Sequence, residues 1–114
     1  MPTNSRAKGK VGEREVAHLL KDILGVDARR GQQFCGANGD ADVVGLPGVH
    51  LEVKRRASAV DGWMKQAVED AKPGEVPTVW HRGNRCGWVV TVRATQLVTL
   101  ARLIAEIDKA ERVA

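Results

Sequence analysis

Residues 49–54 alternate between apolar and polar side chains, which is the pattern of a β-strand. Because successive side chains of a strand point to opposite faces, Glu52 and Lys54 are expected to share one face. The preceding Val-rich run, residues 41–46, is typical of a second short strand, and Pro47-Gly48 has the composition of a turn. The two strands are therefore predicted to form an antiparallel hairpin.

The register of this hairpin decides where Asp42 lies. A strict two-residue loop would place Asp42 opposite Val53, on the face away from Glu52. Pro-Gly favours a type II turn, which is disfavoured in two-residue hairpins, so we expect a longer loop or a bulge. A register offset by one residue then places Asp42 opposite Glu52, and it brings two carboxylates and an ammonium group together on adjacent strands.

Apolar residues at helical spacing predict a first helix over residues 9–24. On a helical wheel Glu13 falls on the apolar face, whereas Glu15 falls on the polar side with His18 and Asp22. A carboxylate on a core face usually has a partner, which a metal site beneath the helix would supply. The alternative is a first-turn Glu that the helix dipole favours and that stays in solvent.

The rest of the chain continues with helices and strands. A second helix is predicted over residues 59–71, and Gln66 on its polar side either positions a water or phosphate or is simply exposed. The β-rich runs at 76–82 and 87–92 are separated by turn residues and indicate another hairpin. Residues 94–112 form the last helix, whose wide apolar face would pack across its own sheet or against a second copy.

Length and composition place bounds on the fold. At 114 residues without an internal repeat, we expect a flexible basic arm at residues 1–8 and a single domain at residues 9–114. Cys35 and Cys86 are far apart and form no Cys-x-x-Cys pair. No apolar run has the length of a membrane span or a secretory signal. We therefore expect a cytoplasmic protein without membrane contact.

The net charge of +4 and the pI near 9.4 favour nucleic acid as partner. A short strand predicted at residues 26–30 leads into a Gly-rich loop at 31–39, which either contacts phosphate and bases or is an ordinary connection. The tip of the second hairpin, with His81, either contacts the DNA backbone or is solvated. The candidate DNA-contacting residues are Lys8, Lys10, Arg29, Arg30, Gln32, Arg55, Arg56, Arg82 and Arg85.

The cluster of Asp42, Glu52 and Lys54 suggests a chemistry, because uncompensated buried charge is costly. A divalent cation would relieve the repulsion, and hard carboxylate oxygens suit Mg²⁺, with Mn²⁺ as a substitute. Lys54 would then orient or deprotonate a water that attacks a phosphodiester. The alternative is an exposed hairpin carrying a surface ion pair.

These residues resemble the motifs of the PD-(D/E)XK nuclease superfamily and, within it, the archaeal and phage Holliday junction resolvases. Residues 8–14, Lys-Gly-Lys-Val-Gly-Glu-Arg, are similar to the family's opening K-G-x-x-x-E-R. Asp42 takes the place of the motif Asp, and Glu52-Val53-Lys54 takes that of E-x-K. The likeness covers residues 8 to about 72.

The resemblance implies an α/β fold of the α+β type, a restriction-endonuclease-like core whose central mixed β-sheet is flanked by helices. The catalytic residues that it implies are Glu13, Asp42, Glu52, Lys54 and Gln66. The metal ligands that it implies are Asp42, Glu52 and the Val53 carbonyl, with Glu13 acting directly or through water. Lys54 would position the attacking water.

The function implied is that of a Mg²⁺-dependent endodeoxyribonuclease, a homodimeric resolvase that makes paired cuts in four-way junctions during DNA recombination and repair, encoded by a phage or a cell. Ala41 stands where the family name has Pro, and Asp40 is an alternative to Asp42. The family's loop Ser is not evident after Arg30, which weakens junction specificity. A nuclease for nicks, flaps or duplex is the close alternative, and a non-catalytic DNA-binding module is the other.

Overall fold

The computed structural model describes residues 5–31, 41–56 and 60–113. The elements within these ranges are α1 (Ser5–Leu24), β1 (Arg29–Arg30), β2 (Val43–Val44), β3 (Val49–Lys54), α2 (Val60–Asp70), β4 (Val76–His81), β5 (Val89–Val92) and α3 (Leu97–Val113). A 3-10 turn, Ala94–Gln96, leads into α3. Most of the predicted Gly-rich loop, including Gln32, and also Asp40 lie outside the described residues.

The strands of the described ranges form one sheet in the order β1-β2-β3-β4-β5. Strands β3 and β4 run parallel, whereas the other neighbouring pairs are antiparallel. A parallel pair needs a long crossover connection, which α2 provides. The predicted mixed sheet flanked by helices is confirmed, and so is the predicted hairpin of β4 and β5.

The register of β2 against β3 agrees with the expected offset. Val43 pairs with Leu51, which places Asp42 opposite Glu52 one step along the ladder. The Asp42 N–H donates to the Leu51 carbonyl at 3.1 Å and extends the pairing by that step. The two carboxylates are therefore held at facing positions by backbone hydrogen bonds.

The connection between β2 and β3, residues 45–48, ends in a tight turn. The Val49 N–H donates to the Leu46 carbonyl at 3.2 Å, and Gly48 has a φ of +82°. A type II turn requires a positive φ at its third position and favours Pro at its second, which explains the order Pro47-Gly48. The longer loop that the sequence favoured is confirmed.

The two faces of the sheet bury different layers. The main core lies between one face and helices α1 and α3, and its fully buried side chains include Val16, Leu20, Val43 and Leu51. On the other face α2 packs against β4, and its buried side chains there are Trp63 and Ala67, which contact Val79. Since side chains alternate along β3, its polar residues fall on the α2 face.

Several element boundaries differ from the expected ones. Helix α1 begins at Ser5, so residues 5–8 are helical and do not belong to the predicted arm. The apolar periodicity marks only the buried part of the helix, while the residues before it are good helix formers such as Lys8. Strand β2 is shorter than predicted because Gly45, at φ +114°, turns the chain close to the backbone of Asp27.

Some predicted apolar positions remain exposed. In α2 Val68 is 38% exposed, because that helix packs on the sheet mainly through Trp63 and Ala67. In α3 Leu100 is buried, whereas Leu97 and Val98 are 56% and 60% exposed. The contact of this face with a second copy stays a prediction. In the part of the chain that the structure describes, no helix is long and apolar enough to cross a membrane.

Gly9 and Gly12 of α1 form a matched pair for a stability test, because Ala is favoured over Gly in helices by about 1 kcal/mol. A Cβ on Gly9 meets nothing within 4 Å, whereas a Cβ on Gly12 would lie 2.6 Å from Cγ of Arg55. We expect Gly9→Ala to raise the free energy of unfolding in urea by roughly 0.5–1 kcal/mol. Gly12→Ala should not raise it, and an equal gain in both variants would contradict the close packing of Arg55 on α1.

Candidate active site

Strand β3 places Glu52 and Lys54 two residues apart on the α2 face of the sheet. The Glu52 side chain is 5% exposed and that of Lys54 is 28% exposed. Lys54 Nζ lies 4.0 Å from Glu52 Oε2, at the outer limit of an ion pair. Burial excludes the alternative of a hairpin with a surface ion pair, since the carboxylate is almost fully removed from water.

Asp42 immediately precedes β2 and faces this pair. Its Oδ2 accepts a hydrogen bond of 2.7 Å from the Val53 N–H. Burial, followed by the negative charge of Glu52, raises the pKa of Asp42 to about 7, although the Val53 hydrogen bond acts in the opposite direction. The N–H and C=O of a strand residue point to the same side, so the Val53 carbonyl also faces β2.

Glu13 of α1 is turned inward, as the helical wheel predicted, and its side chain is 13% exposed. Its Oε1 accepts a hydrogen bond of 2.9 Å from Nε of Arg30. The charge of Glu13 contributes to the raised pKa of Asp42, which places it in the same electrostatic environment. Arg30, predicted as a DNA contact, is thus the partner of this carboxylate.

A cavity of about 580 Å³ joins these groups between α1 and α2. Its predicted site residues are Lys8, Glu13, Asp42, Glu52, Val53, Lys54, Arg55, Arg56 and Gln66. Among the described residues, Gly9 and Trp63 complete the lining, and neither was predicted as a site residue. The predicted DNA-contacting residues in the described ranges that do not line it are Lys10, Arg29, Arg30, Arg82 and Arg85, while Gln32 lies outside those ranges.

Arg55 connects the rim of the cavity to the loop between β4 and β5. Its guanidinium donates to the carbonyls of Arg82 and Gly83 at 3.1 Å and 3.3 Å. Asn84 Oδ1 accepts hydrogen bonds from Arg55 at 3.4 Å and from Lys8 at 3.3 Å. Sequence reasoning missed Asn84, because a polar residue in a turn-rich loop carries no signal of a contact 76 residues away.

Two expectations need correction, one about the β4–β5 hairpin and one about α1. His81 is the last residue of β4 and is buried, with Nε2 3.0 Å from Thr91 Oγ1, so it does not belong to a solvated tip. Glu15, placed on the polar side of α1, accepts a hydrogen bond of 3.0 Å from Trp88 and lies 3.6 Å from Arg82. Packing of this hairpin against α1 covers a helix face that the wheel assigned to solvent.

His50 is a site residue that sequence reasoning missed. Its Nε2 lies 3.0 Å from Glu52 Oε1, and both side chains are 5% exposed or less. Burial disfavours the charged imidazole, but the hydrogen bond and the charge of Glu52 outweigh it and raise the pKa of His50. The alternation of side chains along β3 could have identified His50, since it places His50 on the same face as Glu52 and Lys54.

The donor set fits a hydrated Mg²⁺ ion. Asp42 and Glu52 supply hard oxygen atoms. Burial, followed by the charge of Glu52, raises the pKa of Asp42, and a cation would stabilise its ionised form. Within the described ranges no three His, Cys, Asp or Glu side chains form a group that could hold a metal ion. Mg²⁺ keeps several waters and is commonly bound through one or two carboxylates, so Asp42 and Glu52 would be enough to hold it.

The raised pKa of Asp42 predicts a pH-dependent difference between wild type and Asp42→Asn in EDTA. The pKa of Asp42 is about 7 in the folded protein, whereas its ordinary value, expected for the unfolded chain, is 3.8. The folded state therefore binds this proton more tightly, and the wild type loses stability as the pH rises from about 4 to about 7. Asn retains an oxygen for the Val53 N–H without the charge. We expect its Tm in calorimetry to exceed that of the wild type by roughly 5 °C at pH 8, and by less at pH 5.

Asp22→Asn is the matched control, because the Asp22 side chain is 65% exposed. Its Tm difference from the wild type should vary little between pH 5 and pH 8. A difference for Asp42→Asn that stays constant over this range would contradict the assigned environment of the carboxylate.

The comparison with family models gives a match that spans almost the whole chain. The family described as phage putative PDDEXK endonuclease matches residues 4–110, a range that includes Glu13, Asp42 and the Glu52-Val53-Lys54 motif. No curated protein and no solved structure matches the chain. The mixed sheet with helices on both faces is consistent with a restriction-endonuclease-like core. The resemblance to the PD-(D/E)XK superfamily is confirmed, and the chain belongs to the phage putative PDDEXK endonuclease family.

Proposed function

We propose that this nuclease is a divalent-metal-dependent endodeoxyribonuclease that hydrolyses DNA phosphodiester bonds with Mg²⁺ or Mn²⁺. The observation that carries the proposal is the cavity of about 580 Å³, in which Asp42, Glu52 and Lys54 lie beneath a basic rim. Membership of an endonuclease family supports the reaction type. The net charge of +4 supports a polyanionic substrate.

Asp42 and Glu52 would hold the cation, with the Val53 carbonyl as a third oxygen donor. When bound, the cation supplies Lewis-acid stabilisation of the charge that develops on the phosphodiester. Glu13 would act through water, because its carboxylate is already hydrogen-bonded to Arg30 at 2.9 Å. A water bonded to Glu13 would share the hydration shell that Mg²⁺ retains.

Lys54 would position the attacking water, since its ammonium group lines the cavity and donates hydrogen bonds. The water oxygen forms a bond to phosphorus while the bond to the leaving oxygen breaks. One water proton ends on the leaving oxygen, so one strand end carries a phosphate and the other a hydroxyl. Gln66, an exposed residue of α2 that lines the same cavity, would hold a phosphate oxygen as an auxiliary group.

The basic rim would hold the DNA backbone on either side of the scissile phosphate. Lys8, Arg55 and Arg56 line the same cavity as Asp42 and Glu52. Lys10, Arg29 and Arg85 are exposed and would extend the contact beyond the cavity. We assign smaller contributions to Arg30 and Arg82, whose guanidinium groups have carboxylate partners.

For the substrate we propose branched DNA, with four-way junctions first, cut by a homodimer. Paired symmetric incisions need two active sites related by a two-fold axis, which a dimer provides. The setting would be DNA recombination and repair in the cytoplasm of a phage-infected cell. Nicked, flapped or ordinary duplex DNA would use the same chemistry, so the substrate is decided by the cleavage test below.

The proposed function predicts cleavage of a labelled four-way junction, tested beside a linear duplex of equal length. Wild type should cut in Mg²⁺ and in Mn²⁺ and should stop in EDTA, because the carboxylates need a cation to activate the phosphodiester. Glu52→Gln removes one ligand charge and should lower the cleavage rate at least ~100-fold in single-turnover gel assays.

The products separate the alternatives. Paired symmetric cuts confined to the junction support a resolvase, whereas equal cutting of both substrates supports a general nuclease. Full activity of Asp42→Asn would contradict Asp42 as a ligand. DNA binding without any cleavage in either metal would contradict the nuclease proposal and would leave a non-catalytic DNA-binding module.

A further prediction concerns Arg56, which is exposed and lines the cavity. In the Glu52→Gln background, Arg56→Ala should weaken binding to DNA roughly 3- to 10-fold and lower the salt slope by about 1, as expected for one lost phosphate contact. Arg102→Ala removes the same charge from an exposed position of α3 outside the cavity lining. Equal losses in both variants, measured by fluorescence anisotropy, would contradict a DNA path along the cavity rim.

A further inference from the structure

His50 lies immediately behind Glu52 on the buried α2 face of β3. Its Nε2 is 3.0 Å from Glu52 Oε1, and the imidazole side chain is 4% exposed. An ionised carboxylate only accepts hydrogen bonds, so the imidazole donates from Nε2. From this contact we propose that His50 is a positioning residue, which orients the Glu52 carboxylate for cation binding; the inference rests on the proposed function.

The two oxygens of Glu52 have different surroundings. Oε1 is hydrogen-bonded to His50, whereas Oε2 lies 4.0 Å from Nζ of Lys54. Glu52 and Lys54 line the catalytic cavity, and His50 does not. The hydrogen bond from His50 therefore holds Oε1 and leaves Oε2 directed towards the cavity, where the cation is proposed to bind.

His50 instead lines a second cavity of about 250 Å³, whose lining includes neither Glu52 nor Lys54. It has no direct access to the phosphodiester from there, so its effect on the reaction passes through Glu52. An apolar side chain would fill this buried position without the cost of desolvating an imidazole. A donor that holds one oxygen of a ligand carboxylate explains the presence of histidine here.

The backbone around His50 is held independently of its side chain. Thr78 Oγ1 donates to the His50 carbonyl at 2.8 Å, and Trp80 Nε1 donates to Thr78 Oγ1 at 3.1 Å. Strand β3 is also paired with β4 along its whole length. A substitution of the imidazole consequently tests the orientation of Glu52 and leaves the ladder that carries it intact.

The test compares His50 variants that differ in whether a side-chain hydrogen-bond donor can extend to Glu52. His50→Gln carries an amide donor at about the distance of Nε2, His50→Asn carries the same donor one methylene shorter, and His50→Leu has none. We expect Mn²⁺ binding to the metal-free protein, measured by isothermal titration calorimetry, to weaken about 10- to 100-fold in the Leu and Asn variants. The Gln variant should stay within a few-fold of wild type, with DNA affinity in EDTA unchanged in all three.

Equal Mn²⁺ affinity in wild type and in a folded Asn or Leu variant would overturn the positioning role. A loss of Mn²⁺ affinity as large in the Gln variant as in the Asn variant would also overturn the positioning role, because a hydrogen-bond donor at the distance of Nε2 would then have no effect. Glu52→Gln must itself lose Mn²⁺ binding. A wild type that binds no Mn²⁺ would overturn the proposed function, which separates that failure from a failure of the inference about His50.

Discussion

The site depends on two carboxylates that face one another and are largely removed from water, Asp42 immediately before β2 and Glu52 within β3. Burial and the charge of Glu52 raise the pKa of Asp42 to about 7. Neither effect can relax, because the Asp42 backbone is paired with Leu51 and its side chain with the Val53 N–H. The arrangement stores unfavourable electrostatic energy that a divalent cation would release.

The core on the opposite face fixes this arrangement. Val43 and Leu51 are paired and fully buried beneath α1. A slip of one residue between β2 and β3 would turn these side chains away from the core, so hydrophobic burial selects the register. The same register places Asp42 opposite Glu52. The apolar face thus determines the geometry of the polar face, although no core side chain takes part in the chemistry.

Most of the structural features that depend only on neighbouring residues were predicted from the sequence. The alternation of β3, the Pro47-Gly48 turn and the inward side of Glu13 each follow from a few neighbouring residues, and the structure agrees with all three. Contacts between distant segments were not predictable. Glu15 meets Arg82 and Trp88 only because the β4–β5 hairpin packs on α1, and no periodicity in α1 encodes that neighbour.

The surroundings of the three acidic residues are consistent with a cation site. Glu13 is paired with Arg30 at 2.9 Å, and Glu52 is hydrogen-bonded to His50 at 3.0 Å. At Asp42, burial and then the charge of Glu52 raise the pKa to about 7, and Lys54 and the Val53 N–H offset only part of this rise. The ionised form of Asp42 is therefore costly in the protein alone, and a divalent cation would stabilise it. Because this carboxylate lines the cavity beside the basic rim, a cation bound there would also lie next to a phosphodiester held by the rim.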